Sequence, residues 1–148
     1  MTAAHRPTGP MTLQLKKDEL IFRAGDTNAD LYIIHSGQVL VYVVNGTQVT
    51  PLAYLGAGEY LGELSFFDHE PRSAYVIATE ESTLIQIPTE ELQRQFPAWL
   101  ALLARHITKK LRDTDELIRK KGIRRQNVES IKPLSIEEQR HYLEQTKN

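Results

Sequence analysis

Apolar and polar positions follow a period of two over most of the chain up to Pro88 and a period near 3.6 after it. These are the patterns of half-buried strands and of amphipathic helices. Short runs rich in Val, Ile, Leu and Tyr fall at 20–22, 31–34, 39–44, 49–55, 74–78 and 83–87. Between them lie turn residues: Gly25-Asp26, Ser36-Gly37, Asn45-Gly46, Gly56-Ala57-Gly58 and Glu80-Glu81-Ser82. Asn45-Gly46 between two Val-rich runs predicts a two-residue hairpin of type I′, with positive φ at both central positions. Strands recurring every 8 to 12 residues or so predict a sandwich or a jelly-roll-like barrel. No internal repeat and no low-complexity tract is present.

Past Pro88, Thr89 is placed to cap a short helix whose first turn carries Glu90 and Glu91, favourable against the helix dipole. Pro97 suits the first position of a second helix. Phe96, Leu100, Leu103, Ile107, Leu111, Thr114 and Ile118 recur at spacings of three and four and lay one stripe along it. Arg119, Lys120 and Lys121 followed by Gly122 form a cationic last turn with a glycine exit. A helix over 97–121 is roughly 37 Å long. One small barrel cannot cover that length, so the stripe predicts a partner, most simply a second copy of the chain. The 26 residues after Gly122 contain one further helical pattern, around Ser135 to Gln145, following Pro133.

Composition narrows the class. At 148 residues with 41% apolar and 25% charged, the chain is one ordinary globular domain with short appendages. The longest apolar runs, Val39–Val44 and the stretch through Trp99–Ala104 that starts at Ala98, are six and seven residues, too short to cross a bilayer. The polar segment Met1–Pro10 lacks the apolar core of a secretory signal. The absence of cysteine excludes disulfides and thiolate metal sites and fits a reducing, cytoplasmic setting. A net charge of −1 gives no global field for nucleic acid. The five histidines form no metal-ligand spacing, and no nucleophile elbow or phosphate loop is present, so the chemistry expected is binding and not catalysis.

The segment that carries chemistry is Leu61–Ala74, L-G-E-L-S-F-F-D-H-E-P-R-S-A. Gly62 lets the backbone approach a neighbour closely, Glu63 offers two acceptor oxygens, and Arg72 brings a rigid five-donor fork nine residues later. A single helical turn over 64–67 would aim unpaired N–H groups at the same place. Together these suit an anionic sugar. An isolated Glu and Arg at this spacing would read as a surface salt bridge at a turn. The G-E-L-S and P-R-S-A ends, with the upstream G-D and L-Y-I-I-x-S-G-x-V run, resemble instead the phosphate-binding cassette of the cyclic-nucleotide-binding domain family, found in the bacterial catabolite activator, protein kinase A regulatory subunits and cyclic-nucleotide-gated channels.

The resemblance covers about Leu20 to Gly122 and implies a mainly β fold with α, an eight-stranded β-roll with flanking helices and a long C-terminal helix. It implies that Glu63 accepts from a ribose 2′-hydroxyl. Gly62, Leu64 and Ser65 would line sugar and phosphate, Arg72 would pair with the phosphate, Ser73 would add a donor, and Ala74 would leave room for the nucleotide. Along the helix it places Thr114 and Asp115 at the adenine-contacting hydroxyl pair, with Asp115 departing from the hydroxyl. A solvated face of Asp113, Asp115 and Glu116 accounts for that stretch equally well. The ligand expected is cyclic AMP, with cyclic GMP the alternative, and no cofactor or metal is implied. Residues 1–11 are expected as a disordered tail, 12–122 as the domain with its dimerising or lid helix 97–121, and 123–148 as an extension with one short helix. That extension cannot house a winged helix-turn-helix, so no DNA binding is expected, and the basic run 119–125 is explained by the helix terminus. Two rival expectations are a degenerate fold serving as a dimerisation scaffold, and a sensor cut from a larger channel, regulator or signalling enzyme. Met1 and the polar end at Asn148 favour a stand-alone module over the latter.

Overall fold

The computed structural model describes residues 9–121 and 132–148. Most of the expected N-terminal tail and the Gly122 exit lie outside the described residues. Among the described residues, eight strands form two four-stranded antiparallel sheets, as the resemblance implies. One sheet has the order β1-β8-β3-β6, from β1 (Met11–Leu15), β8 (Ser82–Ile87), β3 (Leu31–Ser36) and β6 (Tyr60–Leu61). The other has the order β2-β7-β4-β5, from β2 (Leu20–Phe22), β7 (Tyr75–Ala78), β4 (Gln38–Asn45) and β5 (Gln48–Gly56). β1 and the two-residue β6 were not foreseen. β6 is too short for any periodicity to register, and β1 opens inside the segment expected to be a tail.

The core between the sheets is built from the inward residues of both, among them Phe22, Tyr32, Ile34, Val39, Leu61, Val76 and Leu84. Burying each such side chain is worth about 1.5–3 kcal/mol. Val39 faces this core, whereas its neighbour Leu40 and then Tyr42 belong to a second cluster with Val49, Ile77 and Leu134. Both faces of β4 are therefore covered, which is why Val39–Val44 runs apolar without alternation.

The cover on the second face is the C-terminal helix α4 (Ile136–Lys147). Its start is fixed by a capping box in which the Ser135 hydroxyl accepts from the Glu138 amide at 3.1 Å and the Glu138 carboxylate accepts from the Ser135 amide at 3.0 Å. Tyr142 packs its ring against Tyr42 at 5.8 Å between centroids, and the Tyr42 hydroxyl meets Thr146 Oγ1 at 2.6 Å. Gln139 Oε1 accepts from the Val49 amide on β5. β5 is an edge strand, so α4 also protects an exposed ladder.

Two local expectations are corrected. Asn45 pairs with Gln48, so the β4–β5 turn is Gly46-Thr47, and only Gly46 of the two takes positive φ (63°). That is the type II′ requirement, not the type I′ one. Thr89 precedes α2 (Glu90–Gln95), but its hydroxyl makes no capping bond. Instead Asp30, fully buried on the loop before β3, accepts from the Thr89 amide at 3.0 Å.

The long helix α3 (Ala98–Lys121) starts one residue after Pro97. It meets the roll through α1 (Glu63–Asp68) on a face that includes Thr108, only 3% exposed, and the half-buried Ala101, Ala104 and Arg112. The predicted apolar stripe faces away from the roll: Leu103, Ile107 and Leu111 are 47%, 50% and 45% exposed.

Candidate functional site

The cassette is assembled around a close backbone approach. Gly62 sits in the left-handed region (φ 76°) at the N-cap of α1. A Cβ there would lie 2.3 Å from Arg72 Nη1 and 3.1 Å from the Asp30 carbonyl oxygen. Glycine is thus required twice, by its dihedral and by the guanidinium packed against it. The Gly62 carbonyl accepts from the Phe66 amide at 3.1 Å and from Arg72 Nη1 at 3.0 Å. Glu63, Leu64 and Ser65 follow as the leading residues of α1, where helix N–H groups have no intrahelical acceptor.

Arg72 is 4% exposed, which excludes the surface salt bridge that its spacing from Glu63 would otherwise suggest. Its main chain is clamped by the β2–β3 loop: the Gly25 amide donates to the Arg72 carbonyl at 2.8 Å, and the Arg72 amide donates to the Asp26 carbonyl at 2.9 Å. Gly25-Asp26 are therefore more than a turn, because they set the position of the arginine. The guanidinium lies 4.2 Å from the centroid of the Phe22 ring and donates through Nη2 to the Asp30 carbonyl at 2.5 Å. Its Nε is buried and has no hydrogen-bond partner among the described residues. Burial pulls the guanidinium below its ordinary pKa, and the neighbouring Arg112 charge acts in the same direction, against Tyr32, Asp26 and Glu63. A buried cation with an unmet donor costs free energy, of the order of 1–3 kcal/mol for the donor alone, and an anion is the group that relieves both deficits.

Beside it lies a cavity of about 330 Å³. Phe22, Val41, Leu55, Leu61 and Val76 give it an apolar wall from the sheets. Gly62, Glu63, Leu64, Ser65, Arg72, Ser73 and Ala74 line it too, so the seven cassette residues singled out in the sequence come together at one site. Chemically this is a pocket with one buried cation, carboxylate and hydroxyl groups, and an apolar surface large enough for a flat ring.

Thr114 is not among the residues lining this cavity. It is exposed on α3, and its hydroxyl donates to the Lys110 carbonyl at 2.9 Å. The Asp115 side chain lies outside the described residues. A different residue of α3 reaches the pocket: Arg112 lines it and donates to Ser65 Oγ at 3.3 Å. Phe22, Asp30, Asp68 and Arg112 were all missed in the sequence. Asp30 and Asp68 had a signal, because Asp68 lies within the cassette segment and Asp30 between Gly25-Asp26 and L-Y-I-I, both stretches that carry the resemblance.

The model of the family described as "Cyclic nucleotide-binding domain" matches residues 12–97. The chain belongs to this family. It is 36% identical over 99 residues to the cyclic AMP receptor protein of Thermus thermophilus, an alignment covering 64% of this chain and 46% of that protein. The cAMP-dependent protein kinase type II regulatory subunit of Drosophila melanogaster is 38% identical over 61 residues, 41% of this chain and 16% of that one. The chain thus spans less than half the length of these curated relatives. Among solved structures, the cAMP-bound form of the EAL enzyme Bd1971 superposes with a TM-score of 0.65 at 33% identity, over 76% of this chain and 31% of that one. The Thermus thermophilus catabolite activator protein gives 0.61 at 31%, over 76% and 55%. Among the described residues, no helix is long and apolar enough to cross a membrane, and no group of three or more His, Asp or Glu is placed to hold a metal.

Proposed function

We propose that this chain is a cyclic AMP receptor module that binds the nucleotide in the β-roll and reports it through α3, without catalysing a reaction. The observation that carries this is the buried Arg72, held by the Gly62 and Asp30 carbonyls, with an unmet Nε beside a cavity of about 330 Å³. A cyclic nucleotide brings one negative charge to that cation, a ribose hydroxyl for Glu63, and a purine for the apolar wall. Glu63, Ser65 and Ser73 supply polar contacts to the sugar and phosphate, and the buried Ala74 leaves the ring space.

Two features support signalling through α3. It packs on the cassette helix α1, so ordering of the cassette acts on α3 directly. Its outer stripe also matches the surface of a homodimer, since three large aliphatic side chains in line on one helix face are costly to leave in water. Calorimetric titration tests the ligand: saturable binding of cyclic AMP, tighter than cyclic GMP, is expected. No heat and no displacement of a fluorescent analogue by either nucleotide would instead favour the scaffold alternative. Tighter binding of cyclic GMP would keep the site and change the ligand.

A further inference from the structure

Asp68 is placed where α1 itself disfavours it. It is the last residue of the helix, its side chain is 9% exposed, and α1 has no basic residue in its last turn. A carboxylate at a helix C-terminus faces the negative end of the dipole, and a buried one needs a partner. One oxygen, Oδ1, accepts from the Glu70 amide at 3.0 Å, a local turn contact. The charge itself is met from across the molecule by Arg112 of α3, which donates through Nε to Oδ2 and through Nη2 to Oδ1 at 3.2 Å. The same Nη2 reaches Ser65 Oγ at the pocket rim. Arg112 therefore lies between Asp68 on one side and the cavity that holds Arg72 on the other.

Building on the proposed nucleotide site, we propose that the Arg112–Asp68 pair is a charge gate that makes seating of α3 a condition of tight anion binding. α1 is six residues, roughly 9 Å long, so Asp68 sits within one short helix of Glu63 and the phosphate donors. With α3 seated, Arg112 neutralises that carboxylate and adds a second guanidinium at the rim. With α3 displaced, the carboxylate loses its counter-charge and stands as an uncompensated negative charge within one short helix of the anion site. Arg105 and Lys109 line the open cleft of about 680 Å³ outside Asp68 together with Glu70 and Asp113, a nearly balanced set of charges on the solvent side. By reciprocity, an anion bound at Arg72 favours the seated helix by the same factor that seating favours the anion. Arg112 is a positioning residue in this scheme, acting through Asp68 on the ligand's charge.

The test compares the full chain with Arg112→Gln, Asp68→Asn and the double variant. Without nucleotide, amide hydrogen exchange over 104–114 is expected to quicken in all three, because each removes the ion pair that seats α3. Unchanged exchange in Arg112→Gln overturns the proposal whatever the ligand proves to be. In cyclic AMP titrations, Arg112→Gln should bind about tenfold more weakly or worse, as expected for loss of a charge-assisted contact. The double variant should recover most of that loss, because the uncovered carboxylate is gone. A double variant as weak as Arg112→Gln, or weaker, overturns the gate, since a merely structural role predicts no rescue. Arg112→Lys keeps the charge without the planar fork and should stay within about threefold of the parent. A wild-type chain that binds no cyclic nucleotide would defeat the proposed function, while the exchange data would still decide whether Arg112 seats α3.

Discussion

The cassette and helix α3 are both amphipathic segments of one short domain, yet they are completed in opposite ways. Most of what positions the arginine of the cassette is supplied within the roll: the left-handed Gly62 accommodates Arg72, and the Gly62 and Asp30 carbonyls hold its terminal nitrogens. Phe22 and the Gly25-Asp26 amide and carbonyl fix its plane and its backbone. Helix α3 is met on one side only. Its inner face docks through Thr108 and Arg112, and its most apolar line of residues is left outside. A site of the first kind binds its ligand with a pre-set geometry, which keeps the ordering cost low. In the proposed function, the element held on one side is the one that changes position to report binding.

The sharpest way to break the contrast is at Arg72. Arg72→Ala removes the one cation buried beside the cavity, and loss of a desolvated charge partner costs about 3–5 kcal/mol. Cyclic nucleotide affinity should fall by roughly two to three orders of magnitude. The buried carbonyls of Gly62 and Asp30 lose a donor in the same step, so the melting temperature should also fall. Titration below that lowered transition, checked by circular dichroism, separates the two effects. Near-parental affinity would place the anion elsewhere.

At α3 the effect expected is in assembly. Leu111→Glu puts a charge in the stripe with Leu103 and Ile107, which would lose about 1.5–3 kcal/mol of apolar burial for each copy in a helix-paired dimer. Sedimentation should show the dimer shifting to monomer at low micromolar concentration, with the far-ultraviolet spectrum preserved because the position is solvent-facing within one chain. A parent that sediments as a monomer with and without nucleotide would assign the stripe to another partner and leave α3 an intramolecular lid.

How far each region could be read from the sequence follows the same division. The cassette was legible because its constraints are local: a glycine, a carboxylate and an arginine at fixed spacing, ended by P-R-S-A. Strands β2 to β5 were legible from period and turn residues, whereas the two-residue β6 is defined by its pairing with β3 alone. Long-range partners left little local trace. The capping of α2 by Asp30 and the pairing of Asp68 with Arg112 join residues 59 and 44 positions apart. The helix at 135–145 was visible as a period, but its docking was not, although the unalternating Val39–Val44 run was the sign of a strand covered on both faces.

The smallest effect tests whether α3 contributes to base recognition at all. In the structure the Thr114 hydroxyl is spent on the Lys110 carbonyl, a back-bond that exposed helical threonines make without any ligand. If nucleotide binding or dimerisation brings Thr114 to the purine, the hydroxyl exchanges that bond for one to the base, and Thr114→Ala should weaken cyclic AMP by about 0.5–1.5 kcal/mol. Phosphate recognition should be untouched, so the ratio of cyclic AMP to a base-free ribose cyclic phosphate is the quantity to follow. A ratio unchanged from the parent would leave Thr114 as a helix-surface residue, with base selectivity assigned to Ser73 and the apolar sheet wall.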